Sequence, residues 1–388
     1  VISKRAEQIS PFLAMDVMER ANQLEEDGAH IIHMEVGEPD FDVPDCVKEA
    51  VSQAVMGGNT HYTHSLGELR LRELICTHYH DTYGVTISPE QILVASGTSP
   101  IMMLLFSGLL NDGDEVILSD PRYACYPNMV RFAGGVTVDV PVSEEDGFQF
   151  HPDAVRERIT TRTRAVMINS PSNPTGTLLT AENLRGMAKL GIPVISDEIY
   201  HGLVYEGQPH SILEYTNEAF VLDGFSKRYA MTGLRLGYLI APLRYIRPLQ
   251  KLSQNFFISA NSVAQRGGIA ALMCASPDVE RMAGVYNARR RFMIDGLRRL
   301  GLGIAVEPTG AFYVFANARH ICPDSYRLAF DILEKAHVGV TPGADFGARG
   351  EGYLRFSYAT SLENIAEGLA RLERYLSHLP LGTLPDPA

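Results

Sequence analysis

Six short apolar runs recur along the chain without polar alternation: ILVAS at 92–96, EVILS at 115–119, AVMINS at 165–170, PVISD at 193–197, FVLD at 220–223 and LGYLIA at 236–241. A strand that is apolar at nearly every position is covered on both faces, the condition of a mostly parallel sheet lying between helices. Helical patterns fill the gaps at 66–80, 99–110, 180–190 and 244–254. The alternation predicts an α/β fold with a mostly parallel central sheet covered by helices. Past residue 276 the pattern changes. A long charged helical stretch near 277–300 precedes AFYVFAN at 311–317, a helix at 324–336, YLRFSYA at 353–359 and a last helix at 361–377. This reads as a smaller α+β domain built from both chain ends. At the N-terminus it takes in a helix opened by Ser10-Pro11 and stopped at Gly28. A strand at 31–36 and the turn GEPDFDVPD at 37–45 come next. The expected division is a large domain at 46–280 and a small domain, with an N-terminal arm, from 1–45 and 281–388. The tail at 381–388 is expected to fray.

Composition removes several function classes. The 388 residues carry 34 Lys+Arg against 46 Asp+Glu, a net charge of −12, and no basic stretch long enough to follow a phosphate backbone. Arg289-Arg290-Arg291 lies on a predicted helix and reads as an exposed face rather than a nucleic-acid contact. No apolar stretch is long enough to span a bilayer, and the opening VISKRAEQISPF lacks a signal-peptide core. The five cysteines are scattered, with no CxxC pair. Reduced thiols and a cytoplasmic location are expected, without a disulfide framework or zinc site. His61 with His64, and His78 with His80, have ligand-like spacing, but no carboxylate or Cys completes either set, so no metal is expected.

The residues just past each apolar run are more informative. After 165–170 comes SPSNPTG, holding Asn173; the next run ends in SDEIY, with Asp197 and Tyr200; the one after leads into GFSKRYAMTGLRLG, with Lys227 and Arg235. The carboxyl ends of strands are where open α/β sheets bind ligands. A Lys on such a loop suits Schiff-base formation, and a buried Asp can hold a pyridinium nitrogen protonated. Tyr and Asn can bond a phenolate oxygen, and an Arg can grip phosphate or carboxylate through two N–H groups. Upstream, Gly97, Thr98 and Ser99 stand just before an apolar helix, where free N–H groups can cradle a phosphate. Singly, Lys227 reads as a surface lysine and Asp197 as a helix cap; the combination carries the chemistry.

The series N-P-T-G, S-D-E-I-Y and S-K-x-x-x-M-T-G-x-R-x-G resembles the class I/II aminotransferases, pyridoxal-phosphate (PLP) enzymes of fold type I, the aspartate-aminotransferase fold. The similarity runs from about residue 9 to 376. It implies that 46–280 is the PLP-binding domain. It further implies that Lys227 forms the Schiff base and then acts as proton-moving base, that Asp197 pairs with the pyridine nitrogen, and that Asn173 and Tyr200 bond the ring oxygen. Tyr123 would stack on the ring. Arg235, Gly97, Thr98, Ser99 and Ser226 would hold the phosphate, joined by Tyr62 from a neighbouring subunit of a homodimer. Arg355, with Gly37 and Asn173, would hold the substrate carboxylate. Cis bonds are implied before Pro121 and Pro174. The implied reaction is ping-pong transfer of an amino group from an L-amino acid to a 2-oxo acid such as 2-oxoglutarate or pyruvate.

Two departures bear on substrate choice. Dicarboxylate-specific members place a Lys in the loop before the phosphate helix, where this chain has Thr98, or bring an Arg from the partner; LSQNFFISANSVAQ at 252–265 offers none. With Phe12, Phe256 and Phe257 nearby, a neutral, aromatic or broad range of amino acids is expected. Gly224 stands where many members carry a phosphate-binding Ser, a role Ser226 would take. The alternatives are a carbon–sulfur β-lyase or other eliminating enzyme on the same fold, and a non-catalytic regulator. The regulator would need a DNA-binding segment ahead of GEPDF, which begins at residue 37.

Overall fold

The apolar runs become the strands of one seven-stranded sheet. The computed structural model describes residues 2–379 and 384. Its strands are β1 (Ile32–His33), β2 (Ile92–Ala95), β3 (Glu115–Asp120), β4 (Val136–Pro141), β5 (Thr163–Asn169), β6 (Val194–Asp197), β7 (Ala219–Gly224), β8 (Gly237–Ile240), β9 (Tyr313–Asn317), β10 (Val338–Gly339), β11 (Thr341–Pro342) and β12 (Tyr353–Ser357). The helices are α1 (Lys4–Glu7), α2 (Leu13–Glu26), α3 (Asp45–Met56), α4 (Leu69–Tyr83), α5 (Thr98–Leu109), α6 (Cys125–Phe132), α7 (Pro152–Arg156), α8 (Ala181–Met187), α9 (Leu243–Phe256), α10 (Ser262–Cys274), α11 (Ser276–Arg299), α12 (Ser325–Ala336) and α13 (Leu362–Ser377).

The sheet order is β2-β8-β7-β6-β5-β3-β4. All neighbours are parallel except β8, which runs antiparallel to β2 and β7. Successive strand residues enter opposite cores: Val94, Val166, Val194, Val221 and Ile240 join one cluster, and Leu93, Met167, Ile195, Phe220 and Leu239 the other. Apolar residues at consecutive positions are thus the direct result of helices on both faces. The C-terminal part forms an antiparallel sheet, β11-β12-β9. The chain ends meet where β1 pairs in parallel with β10. Helix α11 passes residue 280 without a break.

Several elements differ from expectation. The strand expected at 31–36 is a two-residue pair, continued by single bonds from Met34 N–H to Gly339 O and from Ser357 N–H to Met34 O. Helix α2 starts at Leu13 rather than at Ser10-Pro11, because the distant Asp345 carboxylate accepts from the Leu13 and Ala14 N–H groups at 2.8 and 3.2 Å. Strand β4 is not among the expected strands; as an edge it exposes Val136, Asp139 and Pro141 and buries only Val140, so it lacks an apolar run. Helix α10 contains Gly267 and Gly268, poor helix formers that let Val51, Leu236 and Phe225 approach closely. The basic run is not an exposed face. Consecutive helical residues point about 100° apart, so Arg290 is buried while Arg291 is exposed. Arg290 donates to Pro308 O and Asn287 and pairs with Glu206. Of the expected fraying tail, Leu384 is described; it is buried and its N–H bonds Ile321 O. The rest of 381–388 lies outside the described residues.

The turn after β5 is tied to the smaller sheet through Gly176. Its carbonyl accepts from Thr309 and Gly310 N–H, at 2.9 and 2.8 Å, and its φ is +68°. A Cβ there would lie 2.9 Å from Gly310 O and 3.1 Å from Tyr313 O. Gly176→Ala is therefore expected to lose about 2–4 kcal/mol, combining left-handed strain with displaced backbone. Gly191, at φ +77° with nothing within 4 Å, isolates the strain, and Gly191→Ala should lose only about 1 kcal/mol. Urea unfolding of both variants checks this; equal losses would remove the contact between the turn and the smaller sheet as a constraint.

Candidate active site

Five loops leave the same edge of the sheet. The turn after β5 carries Asn173 and contains cis bonds before Pro171 and Pro174; a third cis bond, before Pro121, follows β3. The last of these and the bond before Pro174 were expected, and the one before Pro171 was not. Asp197 closes β6, with Tyr200 three residues on, and Lys227 follows β7. Gly97 links β2 to α5, whose first turn has no side-chain cap. From the smaller sheet, β9 supplies Tyr313 and β12 supplies Arg355.

These groups surround a cavity of about 250 Å³ lined by Gly37, Thr98, Ser99, Tyr123, Asn173, Asp197, Tyr200, Lys227 and Arg355, all expected, with an apolar wall including Phe12, Met15, Met18, Met102 and Ile199. Gly97, Ser226 and Arg235 stand just outside the lining. Arg235 is held in the left-handed region (φ 52°), donates to Thr232 O at 2.9 Å, and presents its guanidinium 2.8 Å from where a Gly97 Cβ would stand. Only glycine lets that cation close on the uncapped end of α5. Tyr62 is 78 % exposed and does not line its own chain's cavity. Phe256 and Phe257 are also surface residues, so of the three expected substrate-side phenylalanines only Phe12 lines it.

Tyr126, Asn169 and Tyr313 are among the lining residues that the sequence does not single out. Tyr126 donates to Asp197 Oδ2 at 2.6 Å; it lies one helical turn beyond Tyr123 in RYACYP. Asn169, the polar end of an apolar run, donates to Asp197 O and accepts from Asn173 N–H. Tyr313, the lone hydroxyl in AFYVFAN, shares a 3.0 Å bond with Tyr200 and lies face-on to Arg355, 4.3 Å from guanidinium carbon to ring centre.

Electrostatics single out two groups. Burial pushes the Lys227 ammonium down to about 8; Arg235 and Arg355 add to this, while Glu38 and Asp197 oppose it. Its Nζ donates to Gly37 O at 2.6 Å. Burial likewise pushes the Asp197 carboxyl up to about 6, against the bonds from Tyr126 and Ile199 N–H. Neither group has an ion-pair partner within contact distance among the described residues. Arg355 is also buried without one. Its guanidinium donates to Asn173 Oδ1, Glu35 O and Thr341 Oγ1 at 2.9, 2.6 and 3.0 Å, and Nε has no partner. The cavity thus offers a near-neutral amine, an unpaired carboxylate, an uncapped helix end beside an Arg, and a buried guanidinium open to an anion. A larger cleft of about 680 Å³ is lined by His30, Lys335, His337, Arg371, Arg374 and His378. Most of these stand near the carboxyl ends of α12 and α13, where cations offset the helix dipoles, and none of the strand-end groups is there.

Comparison with known proteins agrees with this geometry. Residues 29–372 match the family model for aminotransferase class I and II. The chain is 39 % identical over 385 residues to (5-formylfuran-3-yl)methyl phosphate transaminase of Methanocaldococcus jannaschii, covering 97 % of this chain and all of that protein. It is 39 % identical over 383 residues to the aspartate/prephenate aminotransferase of Thermus thermophilus, covering 97 % and 98 %. A solved structure of aspartate aminotransferase from Thermus thermophilus with maleate superposes with a TM-score of 0.93 at 38 % identity, over 97 % of this chain and all of that one.

The Asp197 shift has a definite sign. A carboxyl raised from 3.8 to about 6 on folding contributes stability that is present below about pH 4 and lost as pH rises through about 6. Asp197→Asn removes that loss. In ligand-stripped protein the variant is expected to exceed the parent by about 3 kcal/mol above pH 6, with the gap closing toward pH 4. Urea unfolding across this range reads it directly; a gap independent of pH would mean the carboxylate is ionised there without penalty.

Proposed function

The chain belongs to the class I and II aminotransferases, and from the geometry of its cavity we propose that it is a PLP-dependent transaminase moving the amino group of neutral or aromatic L-amino acids to a 2-oxo acid such as 2-oxoglutarate or pyruvate. The observation that carries this reading is the half-buried Lys227 and the buried Asp197, both without an ion-pair partner, facing one cavity whose other end holds Arg355. The residues fit PLP by charge. Asp197 lacks a cation and would pair with the pyridine nitrogen; the uncapped α5, Thr98, Ser99, Ser226 and Arg235 would surround the phosphate; Lys227 would hold the cofactor covalently. Asn173 and Tyr200 would bond the ring oxygen, and Tyr123 would cover a ring face. Bound PLP supplies an electron sink for charge developing at the substrate Cα.

The chain's own groups do the rest. With its pKa near 8, Lys227 is available as a neutral amine close to physiological pH and takes the proton from the substrate Cα. Tyr126 donates to Asp197 and favours its ionised form, which supports the pairing. Arg355 grips the α-carboxylate, with Asn173 fixing the guanidinium plane. The side chain of the substrate then faces Phe12, Met15, Met18 and Met102. Lys227 and Arg355 are the lining's only lysine and arginine, so an apolar side chain is the better match despite the aspartate in the relatives' names. Tyr62, exposed in one chain, would complete the phosphate site of a second copy, making the working unit a homodimer.

The protein mixed with PLP is expected to gain a visible absorbance band that bleaches on adding a single L-amino acid without oxo acid, releasing one oxo acid per site. Phenylalanine or leucine should bleach it faster than aspartate; the reverse order would overturn the substrate assignment. A band that persists while ammonia and pyruvate accumulate would indicate elimination instead. Lys227→Ala should abolish turnover while the circular dichroism spectrum shows the fold intact, and full retained turnover would remove its role. Arg355→Ala should lower kcat/KM for every amino acid by roughly 100-fold or more, the usual loss for a buried charged partner. Unchanged values would sink the carboxylate role.

A further inference from the structure

Helices α3 and α10 pack side by side in opposite directions. Ser262 Oγ, at the start of α10, donates to Asn59 O just past the end of α3, at 2.9 Å. Midway, a Cβ on Gly267 would stand 3.0 Å from Val51 and 3.3 Å from Val47. At the far end stand Cys46, in the first turn of α3, and Cys274, the last residue of α10; the Cys274 thiol donates to Ala270 O at 2.9 Å and is near enough to raise the Cys46 thiol. Cys46 is half-buried and Cys274 is exposed. The glycine lets the helices approach closely, as a disulfide requires of its two backbones. No role in binding or turnover falls to either residue.

We propose that Cys46 and Cys274 are a redox-active pair that closes to an intrachain disulfide when a low-molecular-weight disulfide is present. Cys274, the accessible thiol, attacks one sulfur of the small disulfide as its thiolate. One small thiol leaves, and a mixed disulfide remains on Cys274. The Cys46 thiolate then attacks the Cys274 sulfur and expels the second small thiol. In total, two protein thiols lose two electrons and two protons, and the small disulfide gains them as two thiols. The closing step is slow at neutral pH. Burial raises the Cys46 thiol and Asp278 adds to this, both of which persist once Cys274 is in the mixed disulfide, so little of it is thiolate.

The position gives the link a consequence. Cys46 follows the strap 37–45, whose first residue meets Lys227 through its carbonyl. The same strap rests on α11, which begins directly after α10: Arg289 bonds Asp40 at 2.8 Å, and Arg281 and Arg289 lie over Phe41. A disulfide at this corner fixes the far end of the strap to the helix pair that carries it.

Reduced protein incubated with oxidised glutathione, alkylated and digested, tests the proposal by peptide mass. The expected product runs as a single chain in denaturing electrophoresis, with the Cys46 and Cys274 peptides joined, lighter than their sum by two hydrogens and reversed by dithiothreitol. Cys46→Ser should stop at the mixed disulfide on Cys274, and Cys274→Ser should leave Cys46 unmodified. In the parent, decay of the mixed disulfide should quicken about tenfold per pH unit between pH 7 and 9, following the Cys46 thiolate. A stable mixed disulfide in the parent, a link between two chains through Cys274, or no modification would each overturn the pair.

Discussion

One buried guanidinium joins the parts of this molecule that must agree for the site to exist. Arg355 sits on the central strand of the smaller sheet. It bonds Asn173 from the large sheet, Glu35 O from the N-terminal segment and Thr341 from the neighbouring strand. Its partners are all neutral, so it anchors these segments while keeping its charge uncancelled. A carboxylate in any of those places would have stabilised the fold as well or better, and would have blocked the anion site. Tyr313 beneath it adds cation–π attraction without neutralising it. The same ring offers its hydroxyl to Tyr200, so the geometry on both sides of the cavity passes through two aromatic rings.

The remainder of the site is built on the same economy of counter-charges. Lys227 and Asp197 are buried far enough to bring the amine and the carboxyl to within about two pH units of each other. The next layer behaves differently. Glu198 accepts from Ser196, Ser211 and Ile212 N–H, so its carboxylate is fully used in holding the segment after Asp197. Asp223 accepts from Tyr238 and Gly224 N–H. Burial raises both carboxyls, to about 8 and about 7, but neither lines the cavity. Glu198 and Asp223 act as fixed supports behind the cavity; Asp197 has two donors, as Asp223 has, but it faces the cavity and is left to bind.

How much of this was legible depended on whether a residue's role follows from its neighbours in sequence. Asp197 and Lys227 could be read because each ends or follows an apolar run, and a polar group at the end of a buried strand has few alternatives. Thr98 and Ser99 were visible as the start of an apolar helix after Gly97. Tyr126 was not, because its partner Asp197 is far along the chain and nothing local separates it from a core tyrosine. Arg290 was misread for a related reason: three basic residues together suggest solvent, but helical geometry turns one of them inward whatever its neighbours are. Asp345 capping α2, and Asn173 meeting Arg355, link residues more than 150 positions apart, and no local pattern encodes such pairs. Tyr62 is a different case, since its expected ligand belongs to another copy of the chain.

The strap 37–45 shows how the state of one lysine bears on the backbone at the mouth of the cavity. In this structure the Lys227 ammonium donates to Gly37 O, so the strap's first residue is held by the group that would hold the cofactor. Once that nitrogen is engaged elsewhere, the carbonyl of the half-buried Gly37 loses this donor. The rest of the strap has little freedom to follow. Asp40 is fixed by Arg289 and Tyr286, and Phe41 is enclosed by Arg281, Arg289 and Tyr286. Adjustment is therefore confined to 37–39, which includes Glu38, bonded to Thr232 five residues after Lys227. Both contacts tie the strap to the lysine loop, so the two segments move together, while α11 holds the far end still. A change at Nζ therefore acts first on the backbone at 37–39, and the contacts of Asp40 and Phe41 with α11 oppose its spread.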